Sequence, residues 1–253
     1  MRAASSAATL AAGQSAAADA GLKAMIPIDR PFLDYALSAF ADAGVRDVCL
    51  VIGPEHDVIR EYYQRVPRRR LGIHFAIQEE PIGTANAVLS ARAFVGGDDF
   101  LVANSDNYYP AAVMAELRRQ PAPALPAFSR AGLLRDGQIS PDRIARYALL
   151  DIGADGILRR IVEKPGAREL AELAGAPVSM NCWLFDSRIF EACERVPPSS
   201  RGEVELPLAV QFAVDHLHMR FRTFPADAPV LDLSSRGDIP AVAERLRGTR
   251  VEL

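Results

Sequence analysis

Apolar positions along the chain follow two alternating periods. Phe32, Leu33, Ala36, Leu37, Phe40 and Ala41 recur at helical spacing, with Pro31 at the start and Gly44 at the end, which predicts a helix. The run DVCLVIG at 47–53 is short, apolar and closed by glycine, which predicts a buried strand. Val58, Ile59, Tyr62 and Tyr63 mark a second helix, and IHFAIQ at 73–78 a second strand. GTANAVLSARAF at 83–94 reads as a further helix, and DFLVANSD at 99–106 as a strand that ends in polar residues. This strand–helix–strand–helix order predicts an α/β domain with a mainly parallel sheet.

The second half is richer in strands. RYALLDIG (146–153) and ILRRIVEK (157–164) flank Ala154-Asp155-Gly156, a hairpin signal. VSMNCWLFD (178–186), MRFRTFP (219–225) and PVLDLS (229–234) read as strands, and 187–194, 205–216 and 238–248 as helices. The proline-rich stretch RRQPAPALPAF (118–128) reads as a surface loop, too short to link domains. Ligands of open α/β sheets sit beyond the carboxyl ends of the strands. Chemistry is therefore expected after a first strand at 7–11, at the end of LVANSD, and at the end of VLDLS.

Composition narrows the classes. A chain of 253 residues, 49% hydrophobic, suffices for one large domain. A formal net charge of −3 does not suggest a surface that coats nucleic acid. Cys49, Cys182 and Cys193 are odd in number and widely spaced, which suits neither a disulfide framework nor a zinc site and points to a reducing, cytoplasmic setting. No apolar run approaches the roughly 18 residues of a membrane span. The Ala/Ser-rich start carries Arg2 and no acid before Asp19, as a leader would, but its apolar stretch is mostly alanine, and it is not read as one.

Several polar residues stand where chemistry could use them. After Leu10, Ala11 and Ala12, Gly13 begins a turn whose backbone N–H groups can face phosphate. Lys23, ten residues on, offers a flexible ammonium to the same anion, although a lone lysine is more often a solvated surface charge. Gln78 ends a strand and Gly83-Thr84 opens a helix: an amide can pair with a base edge, and glycine lets a flat base approach. Asp106, at a strand's carboxyl end, suits Mg²⁺ beside substrate phosphates, with Asp232 of VLDLS as its partner. Glu163 and Lys164 could meet sugar hydroxyls and a sugar phosphate, and Asn181 is a polar residue in an apolar strand that needs a partner.

In order, LAAG, LKAMIPI, RPFLDYAL, AGVRDVCLVIG, Gln78 with GTANA, FLVANSDN, EKPG, MNCWLF and VLDLS resemble the sugar-phosphate nucleotidyltransferases, over about residues 10–246. The resemblance implies a three-layer, Rossmann-like, GT-A-like fold: a mixed, mainly parallel central sheet with a small β-rich sugar-binding lobe. It implies one domain over 1–253, with a nucleotide-binding half at about 7–120 and a sugar-phosphate half at about 121–253. With no hexapeptide-repeat tail following, the single-domain form is expected. The implied reaction joins a nucleoside triphosphate, UTP or dTTP, to a sugar 1-phosphate and releases pyrophosphate. By resemblance, Leu10 to Gly13 hold the nucleotide, and Gln78, Gly83 and Thr84 attend the base. Asp106 and Asp232 hold Mg²⁺, Lys23 faces the reacting phosphates, and Glu163, Lys164 and Asn181 face the sugar phosphate. No nucleic-acid or membrane partner is implied, and a homodimer is the default assembly.

One departure stands out. The family loop reads Gly-x-Gly-Thr-Arg, whereas this chain has Gly13-Gln14-Ser15-Ala16-Ala17, with Leu22 before Lys23 where many members have proline. Loss of one donor that neutralises transition-state charge typically lowers rate by about 10²- to 10³-fold. Arg2 and Arg30 are the candidates to replace it, and Asp19 makes the local field less favourable. The alternatives to a sugar-phosphate nucleotidyltransferase are a catalytically silent nucleotide- or nucleotide-sugar-binding homologue and a transferase onto another small phosphorylated molecule.

Overall fold

The computed structural model describes Gln14, residues 22–135 and residues 139–253. A 3₁₀ turn at Lys23–Met25 leads to helix α1 (Phe32–Asp42). Pro31 takes the N-cap of α1, where its fixed φ suits the entry and no intrahelical N–H bond is lost. The helix closes at Gly44, φ 85°, with Val45 N–H donating to Phe40 O and Gly44 N–H to Ala41 O, a closure that requires a left-handed residue. The predicted apolar stripe is the buried face: Phe32, Leu33, Ala36 and Leu37 are all interior.

Strands β1 (Asp47–Ile52) and β2 (Gly72–Ile77) pair in parallel, Asp47 opposite Gly72 and Ile52 opposite Ile77, with α2 (Asp57–Arg65) between them in sequence. Helices α3 (Thr84–Ser90) and α4 (Arg92–Val95) lead to β3 (Phe100–Ala103) and the short β4 (Asn107–Tyr108). Next come α5 (Ala111–Arg119), β5 (Ala124–Phe128) and the short helices α6 (Arg130–Leu134) and α7 (Pro141–Ile144). The predicted hairpin forms from β6 (Leu149–Ile152) and β7 (Leu158–Val162), antiparallel. After it come α8 (Ala167–Glu172), β8 (Cys182–Phe185), α9 (Ile189–Arg195) and α10 (Leu206–His216). The chain closes with β9 (Arg222–Ala226), β10 (Leu231–Asp232) and α11 (Ile239–Leu246).

The largest ladder runs β3-β8-β5-β9. β8 is antiparallel to β3 and to β5, and β5 is parallel to β9, so the sheet is mixed. Antiparallel pairs outnumber parallel ones among the described strands, because β8 returns between two strands that run the other way. Side chains alternate across β8. Trp183 and Phe185 pack with Val88, Phe190, Ala209 and Val210 on one face, and Cys182 and Leu184 with Met114 and Leu117 on the other. All three cysteines are free thiols. Among the described residues no helix is long and apolar enough to cross a membrane.

The stretch 118–128 corrects the sequence reading. Arg118 and Arg119 close α5, and Ala124–Phe128 is a fully buried strand inside the sheet, not a surface loop. β5 accepts Pro126 because its pairing with β8 is confined to Ala124 opposite Leu184, so the proline's missing N–H breaks no bond on that side.

Candidate active site

Lys23 heads the 3₁₀ turn, whose Ala24 is buried against Leu33 and Leu37 of α1, and this packing carries the ammonium to a defined position. Its Nζ lies 3.1 Å from Asp106 Oδ2. Asp106 sits between β3 and β4, and its carbonyl accepts from Leu233 N–H at 2.9 Å. β4 pairs with β10 antiparallel, Asn107 opposite Asp232, so Asp106, the residue just before β4, lies close to the strand that carries Asp232. Burial raises the proton affinity of Asp106, Lys23 opposes that, and the negative charge of Asp232 raises it further.

Asp232 is held by residues that sequence reasoning passed over. Arg143 Nη2 donates to Oδ2 at 2.7 Å, Tyr147 OH donates to the same oxygen at 2.7 Å, and Ser234 Oγ to Oδ1 at 2.6 Å. Arg143 Nη1 also donates to Asp238 Oδ1 at 2.6 Å. Arg143 and Tyr147 belong to PDRIARYA, which as sequence is only the approach to a hairpin. Two adjacent carboxylates suit a hard divalent cation that takes most of its ligands from substrate phosphates and water. Among the described residues no group of three or more His, Cys, Asp or Glu is placed to hold a metal ion.

Gln78 follows β2, and its N–H donates to Ile52 O at 2.8 Å. Its side-chain Nε2 donates to Gly83 O at 3.0 Å and to Asn86 Oδ1 at 2.9 Å. A carbonyl can only accept, so Gly83 O identifies the nitrogen of this amide and leaves Oε1 as an acceptor. Gly83 has φ 133°, and a Cβ there would lie 2.4 Å from Val204 O. The close approach this glycine permits is thus to the Val204 backbone. Ala85 N–H donates to Val204 O, Val204 N–H to Ile82 O, and Leu206 N–H to Thr84 Oγ1. The loop after β2 is therefore laced to residues 204–206 by backbone and hydroxyl bonds.

Glu205, in the middle of that lacing, belongs to a second charged cluster. Its Oε1 accepts from Arg201 Nη2 at 2.7 Å and stands 4.0 Å from Lys164 Nζ. Burial and the charge of Glu205 raise the proton affinity of Glu163, while Lys164 and Arg201 oppose them. The β6–β7 register sets Leu149 opposite Val162, so Glu163 leaves the hairpin at the end where Tyr147 reaches Asp232. Lys164 adopts φ 48° and Asn181 φ 53°. Asn181 N–H donates to Ser179 Oγ at 3.2 Å, and its carbonyl accepts from Tyr109 OH at 3.3 Å, which ties the start of β8 to the segment after Asp106. The charged run SRGEVE at 200–205 was the available signal for Arg201 and Glu205.

Leu10, Ala11, Ala12 and Gly13, the expected first strand at 7–11, and Arg2 lie outside the described residues. Gln14 is described, and its Nε2 donates to Pro27 O at 2.9 Å. Arg30 does not take the place expected of it. Its Nε donates to the buried Asp34 Oδ2 at 2.9 Å and its Nη1 to Val251 O at 3.3 Å, and Tyr62 and Tyr63 donate to the same carboxylate. A buried carboxylate needs such partners, and meeting that need commits Arg30 to packing rather than to the site.

The Nucleotidyl transferase family model matches residues 20–227. The chain belongs to that family. A glucose-1-phosphate thymidylyltransferase of Streptomyces griseus is 31% identical over 197 residues, covering 76% of this chain and 51% of the relative. A UTP–glucose-1-phosphate uridylyltransferase, AglF, of Haloferax volcanii is 27% identical over 193 residues, covering 76% of this chain and 74% of its own length. The chain spans about half the length of the first of these curated relatives. A UDP-glucose pyrophosphorylase solved with UDP-glucose superposes with a TM-score of 0.72 at 17% identity, covering 90% of this chain and 91% of that one. That likeness extends the shared fold over 90% of this chain.

Proposed function

We propose that this chain transfers a nucleotidyl group from UTP or dTTP to a sugar 1-phosphate, forming an NDP-sugar and releasing pyrophosphate. The observation that supports this reading is the Lys23–Asp106 ion pair just before β4, whose partner strand β10 carries Asp232. In the reaction, a phosphate oxygen of the sugar 1-phosphate forms a bond to the α-phosphorus as the bond from that phosphorus to the bridging oxygen of pyrophosphate breaks. Such a transfer needs positioning and charge neutralisation, not a covalent protein nucleophile. Asp106 and Asp232 would hold Mg²⁺, which when bound neutralises phosphate charge and acts as a Lewis acid. Lys23 would turn part of its charge to the triphosphate, and Lys164 with Arg201 would take the sugar phosphate, leaving Glu163 to accept from sugar hydroxyls. The three free thiols suit a reducing, cytoplasmic setting.

The choice of base follows from one amide. Both Nε2 hydrogens of Gln78 are engaged, so the side chain offers only an acceptor to a ligand. Uracil and thymine meet it with a ring N–H, whereas cytosine and adenine present a ring acceptor in the matching place. Guanine also carries a ring N–H; the names of the two relatives favour the pyrimidines. Glucose 1-phosphate, named in both, is the first acceptor to try.

Pyrophosphate release from each of ATP, CTP, GTP, UTP and dTTP, mixed with a panel of sugar 1-phosphates, tests the reading. UTP or dTTP is expected to exceed CTP and ATP by about tenfold or more, the discrimination of one good hydrogen-bonding contact. Equal rates across bases would remove Gln78 from recognition. Silence with every pair, nucleotide binding being retained, would favour a binding-only homologue, the second reading that Ala16 and Ala17 in the phosphate loop support.

A further inference from the structure

Arg143 pairs with the second aspartate of the candidate site, and the family-like motifs do not account for it. Its guanidinium bridges two acids, Asp232 at 2.7 Å through Nη2 and Asp238 at 2.6 Å through Nη1. Both carboxylates are deeply interior, with side chains 5% and 10% exposed. Asp238 is itself fixed, since its Oδ2 accepts from Ser235 N–H at 2.7 Å just before α11. Tyr147 OH and Ser234 Oγ add uncharged donors to Asp232. Just before the neighbouring strand β4, Lys23 from the 3₁₀ turn pairs with Asp106. Each aspartate of the pair therefore has its own protein cation.

We propose that Arg143 is a positioning residue that keeps Asp232 neutralised in the nucleotide-free protein, so that divalent metal loads as its triphosphate complex rather than alone. The inference rests on the metal-dependent reading above. A hydrated dication arriving by itself must share Asp232 with a guanidinium and Asp106 with an ammonium, and like charges within a few ångströms repel. Buried pairs of this kind are also costly to break. A metal–triphosphate complex meets no such barrier. It brings its own oxygen ligands, and its negative phosphates give Lys23 and Arg143 new partners as the metal takes the carboxylates. The charge that residues 13–17 lack as sequence is thereby supplied from another element, α7, held beside Asp232.

The test is Mn²⁺ binding to the full-length protein, read from the electron paramagnetic resonance of the free ion, with and without UTP. Without nucleotide, R143Q is expected to bind Mn²⁺ about tenfold or more tightly than wild type, and its KM for the metal–UTP complex is expected to rise. R143K keeps the charge and Y147F removes only a neutral donor, so both are expected to stay within about threefold of wild type for free Mn²⁺. D238N, which leaves the guanidinium to Asp232 alone, is expected to bind free Mn²⁺ more weakly than wild type and carries the test if R143Q does not fold. Equal or weaker Mn²⁺ binding by R143Q, or tighter binding by D238N, overturns the inference and leaves the transferase reading standing. No Mn²⁺ binding by any form, even with UTP, overturns both the inference and the metal-dependent reading.

Discussion

Asp106→Asn is expected to lower pyrophosphate release by about 10³-fold or more while leaving the fold intact, because it removes a charge that the proposed reaction uses directly. Asparagine keeps the shape and can still accept from Lys23. The stability side follows from the sign of the shift. Burial and Asp232 raise the proton affinity of Asp106 against the pull of Lys23. An acid whose folded pKa lies above its unfolded value contributes stability at low pH that is lost as pH rises through that interval. At neutral pH the ionised group is therefore a net cost to the fold, and a neutral replacement is expected to hold or raise the melting temperature. Turnover within tenfold of wild type would take Asp106 out of the chemistry. A lost fold would make it structural instead.

Gly83→Ala is expected to destabilise the protein by about 3 kcal/mol and to raise KM for both substrates. A backbone at φ 133° and ψ 173° is strained for any residue with a Cβ, at roughly 1–3 kcal/mol. The added carbon would also lie 2.4, 2.6 and 2.7 Å from the O, N and C atoms of Val204. A flexible side-chain tip could swing away from such a contact, but a peptide cannot, so the 204–206 segment must move, with an overpacking cost of about 1–3 kcal/mol. That segment carries Glu205 and touches the loop that holds Gln78, so both proposed halves of the site are disturbed together. A melt should show a fall of about 6–12 °C for a domain of this size. A change under about 2 °C would mean that the two segments are not laced as described.

Legibility varied with the range of the interaction. Helix α1 could be read almost to the residue, because its apolar stripe, Pro31 and Gly44 are local signals with local causes. The β6–β7 hairpin was equally clear from Ala-Asp-Gly between two apolar runs. β5 was misread because three prolines and a polar lead-in look like a loop; only its place between β8 and β9 makes Ala124–Phe128 a strand. Within the candidate site, Asp106 was legible as a carboxylate at a strand's end and Asp232 as one set within an apolar strand. Arg143, Tyr147 and Arg201 were not, since an arginine or tyrosine in a polar stretch looks the same whether it meets a buried acid or solvent.

The sequence by itself determined most of the alternation of helices and strands, the α/β class, and the candidates for phosphate, base and metal binding, because the 2.0 and 3.6 periods and the chemistry of each side chain are properties of short segments. The tertiary structure alone decided which charges meet. Pairing of β4 with β10 brings Asp232 near Asp106, Arg143 from α7 pairs with Asp232, and Val204 against Gly83 joins the Gln78–Gly83 loop to the segment that carries Glu205. Those contacts join segments far apart in the chain, and a partner's identity is set by the packing of whole elements, which leaves no periodic mark on either segment.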